Sequence, residues 1–313
     1  MNSYVQISKI KQDLSEIRKS LARIEKALKI VPDKELAIKD FESSLKDYEE
    51  YAKEILKLEE ITINNHKSAI RRFLFHCKGR INKENVKVHL DSNNSSSWKT
   101  SQLKALRRYC RDFLKLGKWI EEFELEKVKT KIRKDIPTGK NLILFFNELP
   151  EQTQMVFTLL YNSGLRIGEV LGLKLADLDF ERNMIDASNL HKGKTKSSWV
   201  GFFTTDTAKL LKQYLENNGI DLEDSIFTVS SRAVQQSFKN VSLKLGLDIK
   251  PHLLRTIFAG KCREAGIDKD YINAFQGRIS QGVLARHYTD YSPKALREQY
   301  NKVEPFLTFK EDS

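Results

Sequence analysis

Four short strings hold residue types that can act together on a phosphate ester. "SGLRIGEVLGLKLADLD" contains Arg166, "LHKGKTK" contains Lys192, "KPHLLRTIFAG" contains His252 and Arg255, and "FQGRISQGVLARHYTDYS" contains Arg278 and Tyr288. A guanidinium presents paired donors that match the non-bridging oxygens of a phosphodiester, where charge builds as phosphorus is attacked. A phenol can be the nucleophile, although its free pKa of about 10 requires that it lose its proton inside a site. An imidazole titrates close to neutrality and suits a base or hydrogen-bond partner. A lysine can protonate a leaving oxygen when nearby cations lower its pKa. Taken singly, each residue has a plain structural reading. An arginine at a helix start is usually a surface residue, a histidine after Pro251 usually sits at a helix end or in a core, and a lone tyrosine usually packs. Lys192 shares its turn with Lys194 and Lys196, and Tyr291 stands three residues after Tyr288.

The elements that must position these residues are mainly helical. Residues 141–313 begin with the helical run "QTQMVFTLLYNSG", which leads into "RIGEVLGLKLADLD". A hairpin-like zone runs from "NMIDASNL" through "HKGKTKSS" to "WVGFF", with Gly193 at the turn. Further helices are expected at about 206–218, 232–245, 253–265 and 268–276. Upstream, residues 127–140 read as an extended interdomain linker. Its string "KVKTKIRK" alternates Lys127, Lys129, Lys131, Arg133 and Lys134 with Val and Ile, which puts the cations largely on one side, against phosphates or simply in solvent. Residues 34–126 are helical and polar-rich. Their clearest amphipathic helices are "ITINNHKSAIRRFLFHC", with Lys67, Arg71 and Arg72, and "SWKTSQLKALRRYCRDFLKLGKWI", with Lys104, Arg107, Arg108 and Arg111. "DSNNSSS" separates the two, with Ser97 or Thr100 as candidate cap of the second. Within residues 1–31, Ile7, Ile10, Leu14, Ile17, Leu21, Ile24, Leu28 and Val31 follow an unbroken heptad. Leu at a with Ile at d favours three or four strands over two, whereas a helix packed on its own chain is the plainer alternative.

Composition narrows the partner. The 313 residues carry 54 Lys+Arg against 42 Asp+Glu, a net charge of +12, so a polyanion is expected and nucleic acid first. Cys77, Cys110 and Cys262 have no paired spacing, which yields neither a disulfide framework nor a zinc site and suits a reducing, intracellular compartment. The sequence has neither the apolar run of a membrane span nor the apolar core of a signal peptide, so secretion and membrane insertion are not expected.

In order and rough spacing, the four strings resemble the tyrosine recombinases, the integrases and Xer-like enzymes that cut and rejoin DNA through a tyrosine. That family is marked by a Gly-Leu-Arg turn entering a Gly-Glu helix, a hairpin lysine, a His-x-x-Arg helix, and a tyrosine about ten residues after a Gly-His pair. "NNHKSAIRRFL" and "TSQLKALRRYCRDFLKLG" also look like helices of its core-binding domain, which extends the resemblance to roughly residues 35–305. The implied fold is mainly α with a small β-sheet or hairpin. A helical core-binding domain (34–126) and the basic linker precede a catalytic domain with a C-terminal tail (141–313), behind the coiled-coil helix (1–31). By resemblance Arg166 and Arg255 hold the scissile phosphate, His252 is the candidate base or hydrogen-bond partner, Lys192 or its neighbour Lys194 protonates the leaving 5′-oxygen, and Tyr288 ends as a 3′-phosphotyrosine. Spacing favours Tyr288 over Tyr291, since it lies ten residues after Arg278. Glu169 and Asp177 match acidic positions assigned to supporting the arginine helix. The chain departs from the pattern at Gln276-Gly277-Arg278, where the family usually has histidine: an arginine can still bond the phosphate but cannot shuttle a proton. With the heptads, this departure makes the chain most similar to integrases of archaeal spindle-shaped viruses. The resemblance implies a site-specific recombinase that integrates or excises a mobile or viral genome in the cytoplasm or nucleoid of its host. It would act as a tetramer on duplex attachment sites, with no metal or cofactor, and its tail ("NKVEPFLTF") would dock on a neighbour or pack on its own domain. The rivals are a type IB topoisomerase and an inactive DNA-bridging protein.

Overall fold

Helix ends in the first part of the chain are set by short polar side chains. Asp40 caps α1 (Phe41–Glu54) by accepting from the Ser43 N–H at 3.0 Å, and Asn82 caps α3 (Lys83–Asp91) through Asn85 at 2.8 Å. The computed structural model describes residues 36–125, 136–188, 190, 199–278 and 289–307. The heptad segment, the linker cations Lys127 to Lys134, Lys192, Lys194 and Tyr288 therefore lie outside the described residues. The chain forms two compact units, Met1–Lys131 and Ile132–Ser313.

In the first unit, α2 (Glu60–His76) packs against α1 and α4 (Ser96–Leu106), and β1 (Leu36–Ala37) pairs antiparallel with β2 (Arg80–Ile81). Tyr48, Ile70, Phe73, Leu74, Leu106 and Tyr109 fill the core. The cap of α4 is Ser95, earlier than the expected Ser97 or Thr100: with extended backbone, Ser95 can accept from the Trp98 N–H at 3.3 Å. The long helix expected through Ile120 also breaks. After Leu106 the backbone widens into a π-turn, Arg107–Phe113, which buries the consecutive Tyr109 and Cys110. Left-handed Lys115 and Gly117 then end it ahead of a 3₁₀ turn at Trp119–Glu122.

The second unit is built round α6 (Glu151–Ser163), in which Met155 to Ser163 are all buried, so this helix is covered on every side. Against it pack α5 (Gly139–Asn147), the short α7 (Ile167–Leu171), α8 (Thr205–Asn218) and α10 (Pro251–Glu264). Three strands, β3 (Leu178–Asp179), β4 (Met184–Asp186) and β5 (Val200–Phe202), form an antiparallel sheet in that order, with Leu178 opposite Ile185 and Ile185 opposite Gly201. The hairpin reading is thus extended by one strand. The rest is α9 (Ser231–Leu245), α11 (Lys269–Phe275) and α12 (Pro293–Val303). Val303 and Leu307 lie in the core of their own unit, and Glu304 accepts from the Thr205 N–H at 2.9 Å while pairing with Arg297 at 3.1 Å. As far as Leu307, then, Val303 and Leu307 pack on their own unit, while Phe306 between them is exposed. The reason is local: these two side chains complete the core that α12 starts.

Candidate active site

Arg166 stands at the junction between α6 and α7. Gly164 ends α6 with φ +67°, and a Cβ there would fall 2.4 Å from the Phe258 ring, so glycine is demanded both by backbone and by packing. The turn delivers Arg166 as the cap of α7. There the fully buried Glu169 carboxylate accepts from the Arg166 backbone N–H at 2.6 Å and from its guanidinium at 2.7 Å. The expected support from Glu169 is thereby met. Asp177 instead accepts from the Lys174 N–H at 2.8 Å, one turn beyond the arginine helix.

Arg255 comes from α10. It is 2% exposed, and its guanidinium donates to the Gly164 carbonyl at 2.6 Å and to the Gln276 carbonyl. Burial, then the charge of Arg166, push its pKa down to about 9, with Arg278 acting the same way and Glu169 opposing. The group stays charged at neutral pH. Arg278 follows α11 and is exposed; its N–H bonds the Asn273 carbonyl at 2.8 Å, and that of left-handed Gly277 bonds Ala274 at 2.9 Å, closing the helix in a Schellman turn. The Gly277 carbonyl accepts from Arg166 at 3.4 Å. Neighbouring carbonyls of one turn thus serve both arginines.

His252 lies one turn before Arg255 on α10, with its side chain exposed. Desolvation first, then Arg255, Arg278 and Arg166, lower its pKa below 6.5, so at pH 7 the imidazole is neutral and able to take a proton. Beside it opens a groove of about 610 Å³, floored by Phe238, Leu243 and Leu247 and rimmed by Arg232, Lys239 and Lys250. Four of the six residues singled out as catalytic therefore converge, and Lys192 and Tyr288 lie outside the described residues. Gln276 was not singled out by its side chain: a glutamine at a helix end carries no signal until its partner, 21 residues away, is known. Among the described residues no group of His, Cys, Asp or Glu could hold a metal ion, and no helix is long and apolar enough to cross a membrane. All three cysteines are free and buried.

In the first unit the six cations singled out there are placed differently. Lys67 pairs with Glu49, Arg71 with Glu42 at 2.7 Å, and Arg108 with Asp112 at 2.9 Å. Arg107 donates to the Phe123 and Glu121 carbonyls, which ties the 3₁₀ turn to the end of α4. Arg72 on α2 and Lys104 on α4 are exposed.

A buried Arg255 and a part-buried Arg166 are thus anchored on one turn of a mainly helical unit, with a third arginine and a neutral histidine beside them. The sequence profile of the Phage integrase family matches residues 124–294, more than half of the chain, and the chain belongs to that family. It is 33% identical over 150 residues to tyrosine recombinase XerA of Saccharolobus solfataricus, a match that takes in 48% of this chain and 50% of that protein, so the chain spans about half the length of this relative. To XerA of Thermococcus onnurineus it is 28% identical over 197 residues, 58% of this chain and 68% of that one. Its fold is that of a lambda integrase dimer bound to a COC′ core site, with a TM-score of 0.61 and 17% identity over 94% of this chain and 88% of that one. The Tn1549 transposon integrase in complex with transposon right end DNA has the same fold, with a TM-score of 0.59 and 14% identity over 83% of this chain and 98% of that one.

Proposed function

We propose that this chain is a site-specific DNA recombinase that cleaves and rejoins duplex DNA through a 3′-phosphotyrosyl intermediate, integrating or excising a mobile or viral genome in the manner of the spindle-shaped virus integrases. The observation that carries the reading is the convergence of Arg166, Arg255, Arg278 and His252 on the turn at Gln276 and Gly277. Three guanidinium groups beside one buried carboxylate leave an excess of positive charge where a phosphodiester would sit, and that charge favours the pentacoordinate transition state over the ground state. The Tyr288 oxygen attacks phosphorus and its proton passes to neutral His252. The bond from phosphorus to the 5′-oxygen breaks, and the leaving oxygen takes a proton from Lys192 or Lys194. The phosphotyrosyl ester keeps the energy of the broken bond, so a DNA 5′-hydroxyl can reverse the step on a new strand without ATP.

Duplex DNA is also the partner for the cations of the first unit, Lys67, Arg71, Arg72, Lys104, Arg107 and Arg108, and for the linker. Exchange of two strand pairs needs four tyrosines, so four protomers must meet, and the Leu-at-a, Ile-at-d heptads of residues 1–31 suit that number. The test is covalent trapping on a pool of nicked duplexes. The wild type is expected to give a protein–DNA adduct and recombinant products. Tyr288→Phe should give none while still binding DNA, and Tyr291→Phe should remain active. No adduct from the wild type would leave a DNA-bridging protein; adduct and supercoil relaxation without recombinants would leave a topoisomerase.

A further inference from the structure

Gln276 is 2% exposed and takes part in two bonds with a single residue. Its backbone carbonyl accepts from the Arg255 guanidinium, and its side-chain amide donates to the Arg255 backbone carbonyl at 2.9 Å. The adjoining Gly277 carbonyl accepts from Arg166. A small rotation of this turn would displace both guanidinium groups together. Two features oppose that rotation: the Schellman bonds from Gly277 and Arg278, which fix the turn to α11, and the Gln276 amide, which fixes it to α10.

An apolar side chain could fill the same space. The Arg255 carbonyl lies within α10, where the helix ladder already supplies a donor, so it does not need the glutamine for satisfaction. Burying an amide costs free energy unless it is bonded. What the amide adds over an apolar group is direction: a second, crossed bond that sets the angle between the turn and the helix carrying Arg255 and His252.

We propose that Gln276 is the positioning residue that holds the two-arginine clamp in register with His252. The proposal rests on the recombinase reading above. Near an optimal geometry, an error of about 1 Å can cost on the order of 100-fold in rate, so loss of the amide acts on the chemical step and leaves DNA affinity in place.

The experiment is single-turnover adduct formation by the full chain on a pool of nicked duplexes, with affinity measured on the same pool. Gln276→Met keeps the volume and removes the donor; adduct formation at saturating DNA should slow by about 10- to 100-fold, with affinity within about threefold of wild type. Gln276→His keeps an N–H donor at similar reach and should return the rate to within about threefold. Should Gln276→Met fail to melt cooperatively, Gln276→Leu, apolar and without a donor, takes its place with the same expected loss. A folded donor-less variant that cleaves at the wild-type rate, or that loses affinity in step with rate, overturns the proposal. So does a histidine variant as slow as the donor-less one. Absence of adduct from the wild type overturns the recombinase reading and the proposal with it.

Discussion

Both units are rich in arginine, and they surround it with different balances of carboxylates and carbonyls. On the first unit Arg71, Arg108 and Arg111 face carboxylates: Arg71 binds Glu42 through two nitrogens, at 3.0 and 2.7 Å, and Arg111 reaches both Asp112 and Glu121 at 2.6 Å. An exposed pair such as Arg71 with Glu42 is worth little to stability and exchanges readily with solvent or with another anion. In the second unit Arg255 is buried and held by two carbonyls, and Arg166 by a carbonyl and the buried Glu169. A carbonyl fixes a guanidinium without cancelling its charge. The contrast teaches that the paired arginines of the first unit, Arg71, Arg108 and Arg111, are largely neutralised at the surface, whereas at the turn one carboxylate, Glu169, faces three guanidinium groups and leaves a rigid, net positive field.

The sharpest way to break the comparison is at the rigid field. Arg255→Lys cannot span the Gly164 and Gln276 carbonyls as a fork does, and Arg166→Ala removes a donor outright. Each should slow cleavage by about two to three orders of magnitude, the range for loss of one transition-state donor, with much smaller loss of affinity. Equal losses in rate and binding would make these arginines ordinary backbone contacts.

Next in size is the effect of deleting residues 1–31, which should leave single-strand cleavage largely intact while recombination falls steeply. Sedimentation of the full and shortened chains checks it: a monomer in both, with recombination unimpaired, would end the assembly role of the heptads.

The pH profile sharpens the same contrast. As the proposed base, His252 would have to be neutral to accept the tyrosine proton, and partial desolvation and the three arginines depress its pKa below 6.5. Cleavage should therefore hold its plateau through neutrality and fall only on the acid side of pH 6.5 as the imidazole charges. His252→Asn should lower the plateau and remove that acid limb. An acid limb unchanged in the variant would assign the titration to another group.

The smallest effects belong to the first unit. Arg72→Ala and Lys104→Ala should each reduce the slope of log affinity against log salt by about 0.9 per lost phosphate contact, and neutralising the linker cations by the same amount for each contact they make. Arg71→Ala should change the slope less, because Glu42 already answers its charge; Glu42→Gln should strengthen binding at low salt. A slope that moves equally for Arg71 and Arg72 would show that the Glu42 pair opens at no cost on DNA.

Much of the site was legible in linear order. The Gly-Leu-Arg turn, the His-x-x-Arg spacing and the Gly before Arg278 are local devices: a left-handed residue ends a helix, and an i, i+3 step puts His252 and Arg255 on one face, so nearby residues alone dictate them. The helices at 151–163, 231–245 and 251–264 were legible for the same reason, through their apolar period. The break of α4 into a π-turn was hidden, because the apolar pattern continues through it and only the Arg107 link to the Phe123 carbonyl and the burial of Tyr109 with Cys110 favour the wider winding. Hidden too were the inward packing of Val303 and Leu307 and the pairing of Arg71 with Glu42, 29 residues away. The sequence by itself determined which residues can act on a phosphate and which turns present them. Only the tertiary structure decided how much positive charge each cluster keeps, since that depends on which carboxylates and carbonyls the fold brings to its guanidinium groups, from Glu42 at Arg71 to Gly164 and Gln276 at Arg255.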